Sequence, residues 1–180
     1  MKKYDCIFLD RDGTLNPDPG YISNISDFKF YSFTIPALKI MSKTNNKFCI
    51  ITNQSGVSRG LISIDNLLII NSFIKKTFSK HRISLIDIYM CFDHPDNASE
   101  RRKPGKGMFL EAKKEHDLNL SNCLMVGDSI MDMEAGLNLG METMLVLTGK
   151  GQDTYKDLGR SKLISYVAKN IYEGFEKLCR

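Results

Sequence analysis

The chain has 180 residues, enough to bury one sizeable core and too few to suggest a second domain. Its 25 basic and 21 acidic residues are dispersed, and a net charge of +4 is too mild for a nucleic-acid binder. Five scattered cysteines read as reduced, buried thiols, and no run approaches the roughly 18 apolar residues of a membrane span or the pattern of a signal peptide. The expectation is a cytoplasmic monomer acting on a small molecule, with neither nucleic acid nor membrane as partner.

Short apolar runs alternate with longer amphipathic stretches. This predicts an α/β fold, a Rossmann-like doubly wound parallel sheet of about six strands with helices on both faces. In chain order, the first strand covers 6–9. Residues 16–30 follow, punctuated by Pro17, Pro19 and Gly20 and without a helical period, and predict a loop or small hairpin flap over the end of that strand. A helix over 35–42, a strand over 48–51 and a helix over 63–80 come next, the last capped by Ser63. A strand over 86–90 leads into a loop at 91–105, expected on the substrate side of the site. A helix over 107–116, a strand over 123–126 and a helix over 130–139 stopped by Gly140 continue the alternation. The run at 143–147 is a strand, that at 163–167 reads as strand or helix, and 171–178 is helical. No element is predicted between 148 and 162. Only 41 residues separate Asp10 from Thr52, much of them helix and strand, which leaves no room for a large cap domain. The whole of 1–180 is read as one domain.

In an open parallel sheet, ligands bind beyond the carboxyl ends of the strands, so the polar residues after each apolar run carry the chemistry. These are Asp10-Arg11-Asp12-Gly13-Thr14, Thr52-Asn53-Gln54-Ser55-Gly56, Arg102-Lys103-Pro104, and Gly127-Asp128-Ser129 with Asp132 beyond it. Converging carboxylates repel one another unless a cation offsets them, and hard oxygen donors select Mg²⁺. Lys103 and Thr52 then suit anionic oxygens, as a phosphoryl transition state requires. One carboxylate can attack phosphorus, and a second two residues on, projecting the same way from extended backbone, can move the proton. Asp132 is open to two readings, a ligand acting through water or an acid favouring a helix start. Asp-x-Asp-Gly alone is common in surface turns. The weight rests on four motifs in order.

Those four motifs resemble the haloacid dehalogenase superfamily phosphatases. The resemblance implies Asp10 as nucleophile, Asp12 as general acid and base, Thr52, Asn53 and Lys103 at the phosphoryl group, and Mg²⁺ on Asp10, the Asp12 carbonyl and Asp128. A closer likeness covers nearly the whole chain. Asp10 to Asn16, Gly20-Tyr21, Thr52 to Gly60, His94-Pro95, Arg102-Lys103-Pro104 and Leu147 to Gly151 are similar to bacterial heptose 1,7-bisphosphate 7-phosphatases of nucleotide-heptose synthesis. Histidinol-phosphate phosphatases share part of the pattern and are the alternative. By this resemblance Asp18, Gly20, Tyr21, Gln54, Ser55, Arg102 and Ser129 contact substrate. Arg59 is a further candidate, because a bisphosphate needs cations at both ends.

Many such relatives hold a structural Zn²⁺ in the loop after the third strand. Here Cys91 remains, Asp93 stands where a histidine is expected, and Ser99, Glu100 and Arg101 precede Arg102 without a cysteine. One thiolate cannot build a closed four-coordinate site, so no structural zinc is expected. Two non-enzymatic readings fit poorly. A signalling receiver has adjacent acids and phosphorylates after its third strand, and a silent binding homologue would not keep every motif residue.

Overall fold

The computed structural model describes residues 2–159 and 161–179. Six strands form one sheet, β1 (Cys6–Leu9), β2 (Phe48–Asn53), β3 (Leu85–Cys91), β4 (Cys123–Gly127), β5 (Glu142–Val146) and β6 (Tyr166–Ala168), in the order β3-β2-β1-β4-β5-β6. Every pairing is parallel. The chain winds outward from β1 to β3, then restarts beside β1 with β4 and winds the other way. The order therefore reverses between β1 and β4, the position at which a doubly wound sheet opens a ligand crevice. Leu9 lies opposite Val126 in the ladder, and the Asp10 amide donates to the Val126 carbonyl at 2.9 Å, so the two strands end side by side.

Alternation along β1 assigns the layers. Ile7 and Leu9 face one core, with Ile50 of β2, Val126 of β4, and Leu38, Ile74 and Phe175 from α1 (Thr34–Ser42), α2 (Ile64–Lys80) and α6 (Ile171–Cys179). Cys6 and Phe8 face the other, with Cys49, Ile51, Met125, Phe109 of α3 (Gly107–His116) and Ala135 of α4 (Ile130–Asn138). Strands buried on both faces must be apolar throughout, hence the unbroken runs in the sequence. Four of the five cysteines are buried and all are free thiols. Ser63 caps α2, its side chain accepting from the Asn66 amide at 3.1 Å, and Gly140 takes φ +73° just beyond α4.

Two segments differ from the sequence reading, and a third takes the loop rather than the hairpin of its two alternatives. The region 148–162 contains α5 (Gly151–Leu158), which was not expected because its only large apolar side chains are Tyr155 and Leu158. It is docked by polar contacts instead, with Thr154 Oγ1 donating to the Asp128 carbonyl at 2.9 Å. The run at 163–167 is a strand, but a short one displaced toward its carboxyl end, because Leu163 is used as an acceptor for Thr143 Oγ1 at 2.6 Å. Residues 16–30 hold no hairpin. A single 3-10 turn at Ile25–Asp27 interrupts a loop anchored by buried Ile22 and Phe28, the latter edge-on to Phe30 at 5.1 Å and to Phe73 at 6.0 Å. No helix of the described chain is long and apolar enough to cross a membrane.

Since α6 closes one core through Phe175, which is fully buried, Phe175→Ala should lower unfolding free energy by about 3–5 kcal/mol in urea titrations. A loss under 1 kcal/mol would show that α6 is not packed as described.

Candidate active site

The four strand ends do converge. One cavity of about 530 Å³ is lined by Asp10, Asp12, Asp18, Gly20, Tyr21, Thr52, Asn53, Gln54, Ser55, Arg102, Lys103, Asp128 and Ser129. Of the candidates from the sequence, all line it except Asp132, which lies fully buried beneath, and Arg59, which is exposed on the turn after β2. The turn folds back on itself, with the Arg59 amide donating to the Ser55 carbonyl at 3.2 Å. Pro19 and Gly56 line the cavity within the segments expected there, and Met131 and Lys150 line it without having been assigned a role.

At the buried end stands Lys103, 3% exposed, whose ammonium uses all three of its donors. They reach Asp10 Oδ1 at 2.6 Å, Asp132 Oδ1 at 2.6 Å and the Ile51 carbonyl at 2.9 Å. Burial alone would lower the Lys103 pKa, but Asp10 and Asp132 outweigh it and hold the ammonium charged well above the ordinary lysine range. Asn53 fixes the backbone of this lysine, its side-chain amide exchanging two hydrogen bonds of 3.1 Å with the Lys103 N–H and carbonyl. Asn53 is thus committed to holding Lys103, although the sequence reading put it at the phosphoryl group.

Asp132 resolves toward the helix-start reading. Its Oδ2 accepts from the Ser129 amide at 3.1 Å and hydroxyl at 2.6 Å, which closes a capping box at the start of α4, while Oδ1 accepts from Lys103. Both oxygens are therefore occupied. Asp128 differs. Its Oδ2 accepts the Lys150 amide at 2.7 Å, and its carboxylate is wedged between Gly13 and Gly149, at φ +87° and +53°. A β-carbon on either glycine would stand 2.1 Å from Asp128 Oδ2, so neither position admits a side chain.

The Asp12 carboxylate accepts four N–H groups. Oδ1 takes Arg11 Nε at 2.9 Å and Asn16 Nδ2 at 2.8 Å, and Oδ2 takes an Arg11 terminal nitrogen at 2.7 Å and Gln54 Nε2 at 2.8 Å. Burial works to raise its pKa, but Arg11 and these donors outweigh it and hold Asp12 below the usual carboxylate range. Gln54 also donates to Thr52 Oγ1 at 2.8 Å, which ties the acid–base candidate to the phosphoryl-binding hydroxyl. Nothing in the sequence flagged Arg11 and Asn16, which look like spacers around Asp12-Gly13.

Three carboxylates, Asp10, Asp128 and Asp132, bring ligand atoms within 4.8 Å of one another against one ammonium. Burial pushes Asp10 well above the usual carboxylate range, more than Lys103 pulls it down, with Asp132 and Asp128 adding to the rise. Burial, then the Asp132 charge, raises Asp128 to about 7. Asp10 and Asp128 each accept fewer protein donors than Asp132, so the excess negative charge falls mostly on them, and a divalent cation with hard oxygen ligands is what offsets it.

Hydrogen bonds and an ion pair brace the loop at 91–105. Asp93 Oδ2 accepts the Ser99 amide at 2.8 Å and hydroxyl at 2.5 Å, and the Ser99 bonds hold the Asp93 carboxyl below its ordinary range. Arg101 pairs with Glu111 and donates to the Met90 carbonyl at 3.0 Å, and Arg102 donates to the Asp93 carbonyl at 3.1 Å. Cys91 is buried, and His94 pairs with Asp96 at 3.4 Å.

A carboxylate whose folded pKa is raised loses stability as pH climbs from its unfolded value near 4 to about 7, because the folded state releases its proton later than the unfolded chain. Without divalent cation, Asp128→Asn should therefore gain on the wild type across that window and stay ahead above it. Chemical denaturation at several pH values measures the gap, and a gap that does not open removes the charge-excess account.

Comparisons with known proteins agree with this geometry. The HAD-hydrolase-like family model matches residues 100–173. The chain is 38% identical over 151 residues, 80% of this chain and 82% of the relative, to D-glycero-beta-D-manno-heptose-1,7-bisphosphate 7-phosphatase of Haemophilus influenzae. It is 37% identical over 145 residues to the alpha-specific counterpart of Campylobacter jejuni, covering 81% of this chain and 83% of that one. The fold superposes on the crystal structure of D,D-heptose 1.7-bisphosphate phosphatase from B. bronchiseptica, complexed with magnesium and phosphate. The TM-score is 0.89 at 28% identity, over 99% of this chain and 98% of that one. With its motif residues gathered in one cleft and these identities over four-fifths of its length, the chain belongs to the heptose 1,7-bisphosphate 7-phosphatase family of haloacid dehalogenase-like hydrolases.

Proposed function

We propose that the chain is a magnesium-dependent phosphomonoesterase that removes the 7-phosphate of D-glycero-D-manno-heptose 1,7-bisphosphate through phosphorylated Asp10. The observation that carries this reading is the polarity of the cavity at the strand ends. Its buried end holds Asp10, Thr52, Lys103 and Asp128, and its open end presents Arg102 and the exposed Lys150. Two phosphates on one small sugar require cations at both ends.

Bound between Asp10, the Asp12 carbonyl and Asp128, magnesium would supply positive charge against the oxygens of the transferring group. Asp10 forms a bond to phosphorus while the bond from phosphorus to the C7 oxygen breaks. Asp12, which takes up a proton from solvent as substrate displaces one of its four donors, passes that proton to the C7 oxygen, which leaves as the sugar hydroxyl. Asp12 then removes a proton from water, whose oxygen attacks phosphorus, and the bond to Asp10 breaks to release phosphate. Lys103, locked in place by Asn53, Ile51 and Asp132, keeps Asp10 oriented and its charge offset. Thr52, aligned through Gln54, lies on the same wall for the phosphoryl oxygens. Asp18, Gly20, Tyr21, Ser55 and Ser129 line the same cavity, and these short loops do the closing that a cap domain performs elsewhere. The hydrogen-bonded loop at 91–105 is read as needing no zinc.

Phosphate release with Mg²⁺ from both heptose bisphosphate anomers, histidinol phosphate and fructose bisphosphate tests the assignment. One heptose anomer should exceed histidinol phosphate by more than tenfold in kcat/KM, and the reverse ranking retires the heptose reading in favour of the histidinol phosphate alternative. Asp10→Asn should abolish turnover, and Asp12→Asn should lower kcat on the sugar by about 10²–10⁴-fold. Chelation should remove activity and Mg²⁺ restore it, with zinc well below one equivalent by metal analysis. Stoichiometric zinc would overturn the account of the loop.

A further inference from the structure

Among the described residues Arg11 heads the largest fully buried side chains, and it is not explained by the sheet or by the phosphoryl site. Its guanidinium forks onto both oxygens of Asp12, through Nε at 2.9 Å and a terminal nitrogen at 2.7 Å. The second terminal nitrogen is buried without a hydrogen-bond partner, and the group lies over the Phe28 ring with its central carbon 5.9 Å from the centroid. A buried cation that leaves a donor unpaired is costly unless something else uses its geometry. Phe28 accepts the face of the guanidinium, and Asp12 accepts its edge. Phe28 is itself pinned by Phe30 and Phe73, so the fork cannot rotate without disturbing the anchored loop.

The four bonds on Asp12 are not equivalent. Arg11 and Asn16 come from the chain segment around Asp12 itself, and both are fully buried. Gln54 comes from the end of the neighbouring strand β2, and it lines the cavity. A carboxylate with four donors has no lone pair left for a proton and none for a fifth partner. One donor must give way before Asp12 can face a leaving oxygen, and Gln54 is the one on the substrate side.

We propose that Arg11 is the positioning residue of the acid–base carboxylate, fixing Asp12 from behind, while the Gln54 amide holds the place on Asp12 Oδ2 that the substrate's leaving oxygen takes. The inference rests on Asp12 being the proton donor and deepens that reading. It explains why a loop lacking strand or helix is nailed down by an aromatic cluster: the cluster backs the guanidinium, and the guanidinium backs the carboxylate.

A leaving-group comparison separates positioning from mere support of the fold. In single turnovers with enzyme in excess, p-nitrophenolate leaves without needing a proton, whereas a sugar alkoxide needs one. Arg11→Gln should slow release of the sugar about 100-fold and p-nitrophenolate less than threefold, with KM for the sugar within threefold of wild type. Arg11→Lys keeps the charge but not the fork, and should recover only part of the loss. Equal losses on both leaving groups, or no loss on the sugar, overturn the proposal. If the Arg11 variants do not fold, Phe28→Leu, which frees the guanidinium without touching the cavity, should show the same selectivity at about threefold, and equal losses there overturn it likewise. Asp12→Asn run alongside keeps the two readings apart. If it shows no leaving-group selectivity, the acid–base assignment fails first and this inference with it.

Discussion

The site is organised by one buried ammonium. Lys103 touches Asp10 after β1, Asp132 in the first turn of α4 and the Ile51 carbonyl on β2, so three separate elements are drawn onto a single charge. Losing the Asp10 or the Asp132 contact leaves a buried carboxylate without its cation, a far larger penalty than any surface pair carries. That asymmetry keeps the Asp10 carboxylate from wandering. It also assigns labour among the acids. Asp132 is spent on Lys103 and Ser129, which leaves Asp10 and Asp128 as the carboxylates with capacity for a metal ion.

The loop at 91–105 is clipped by two hydrogen bonds, the carboxylate at 93 accepting from the amide and the hydroxyl of residue 99. The consequence is a loop that still delivers Arg102 to the cavity, its guanidinium steadied by the Asp93 carbonyl.

Much of this was legible in the sequence, for identifiable reasons. Strands buried on both faces leave unbroken apolar runs, and parallel order puts the following polar residues at one rim, so Asp10, Thr52, Lys103 and Asp128 were recoverable from pattern alone. Helix α5 was not, because a helix docked by Thr154 on a carbonyl leaves no apolar period to read. Arg11 and Asn16 escaped notice because their importance lies in which oxygen they reach, which spacing does not encode. Asn53 and Gln54 were located correctly in the cavity, yet their amides turn toward protein partners, Lys103 and Asp12, as only coordinates reveal. Arg59 was drawn in by its neighbours in the sequence, but the tight turn after β2 carries it outward.

The two glycines flanking Asp128 have a further consequence. Because main chain from both sides touches that carboxylate, the space around Asp128 is set by backbone rather than by rotamers. Mutation cannot retune it gradually, since the smallest added side chain already collides. Divergence among such enzymes is thereby channelled outward to the mouth, where Tyr21, Arg102 and Lys150 can change without disturbing the innermost geometry. A rigid centre with a mutable rim lets one reaction be kept while its clientele shifts.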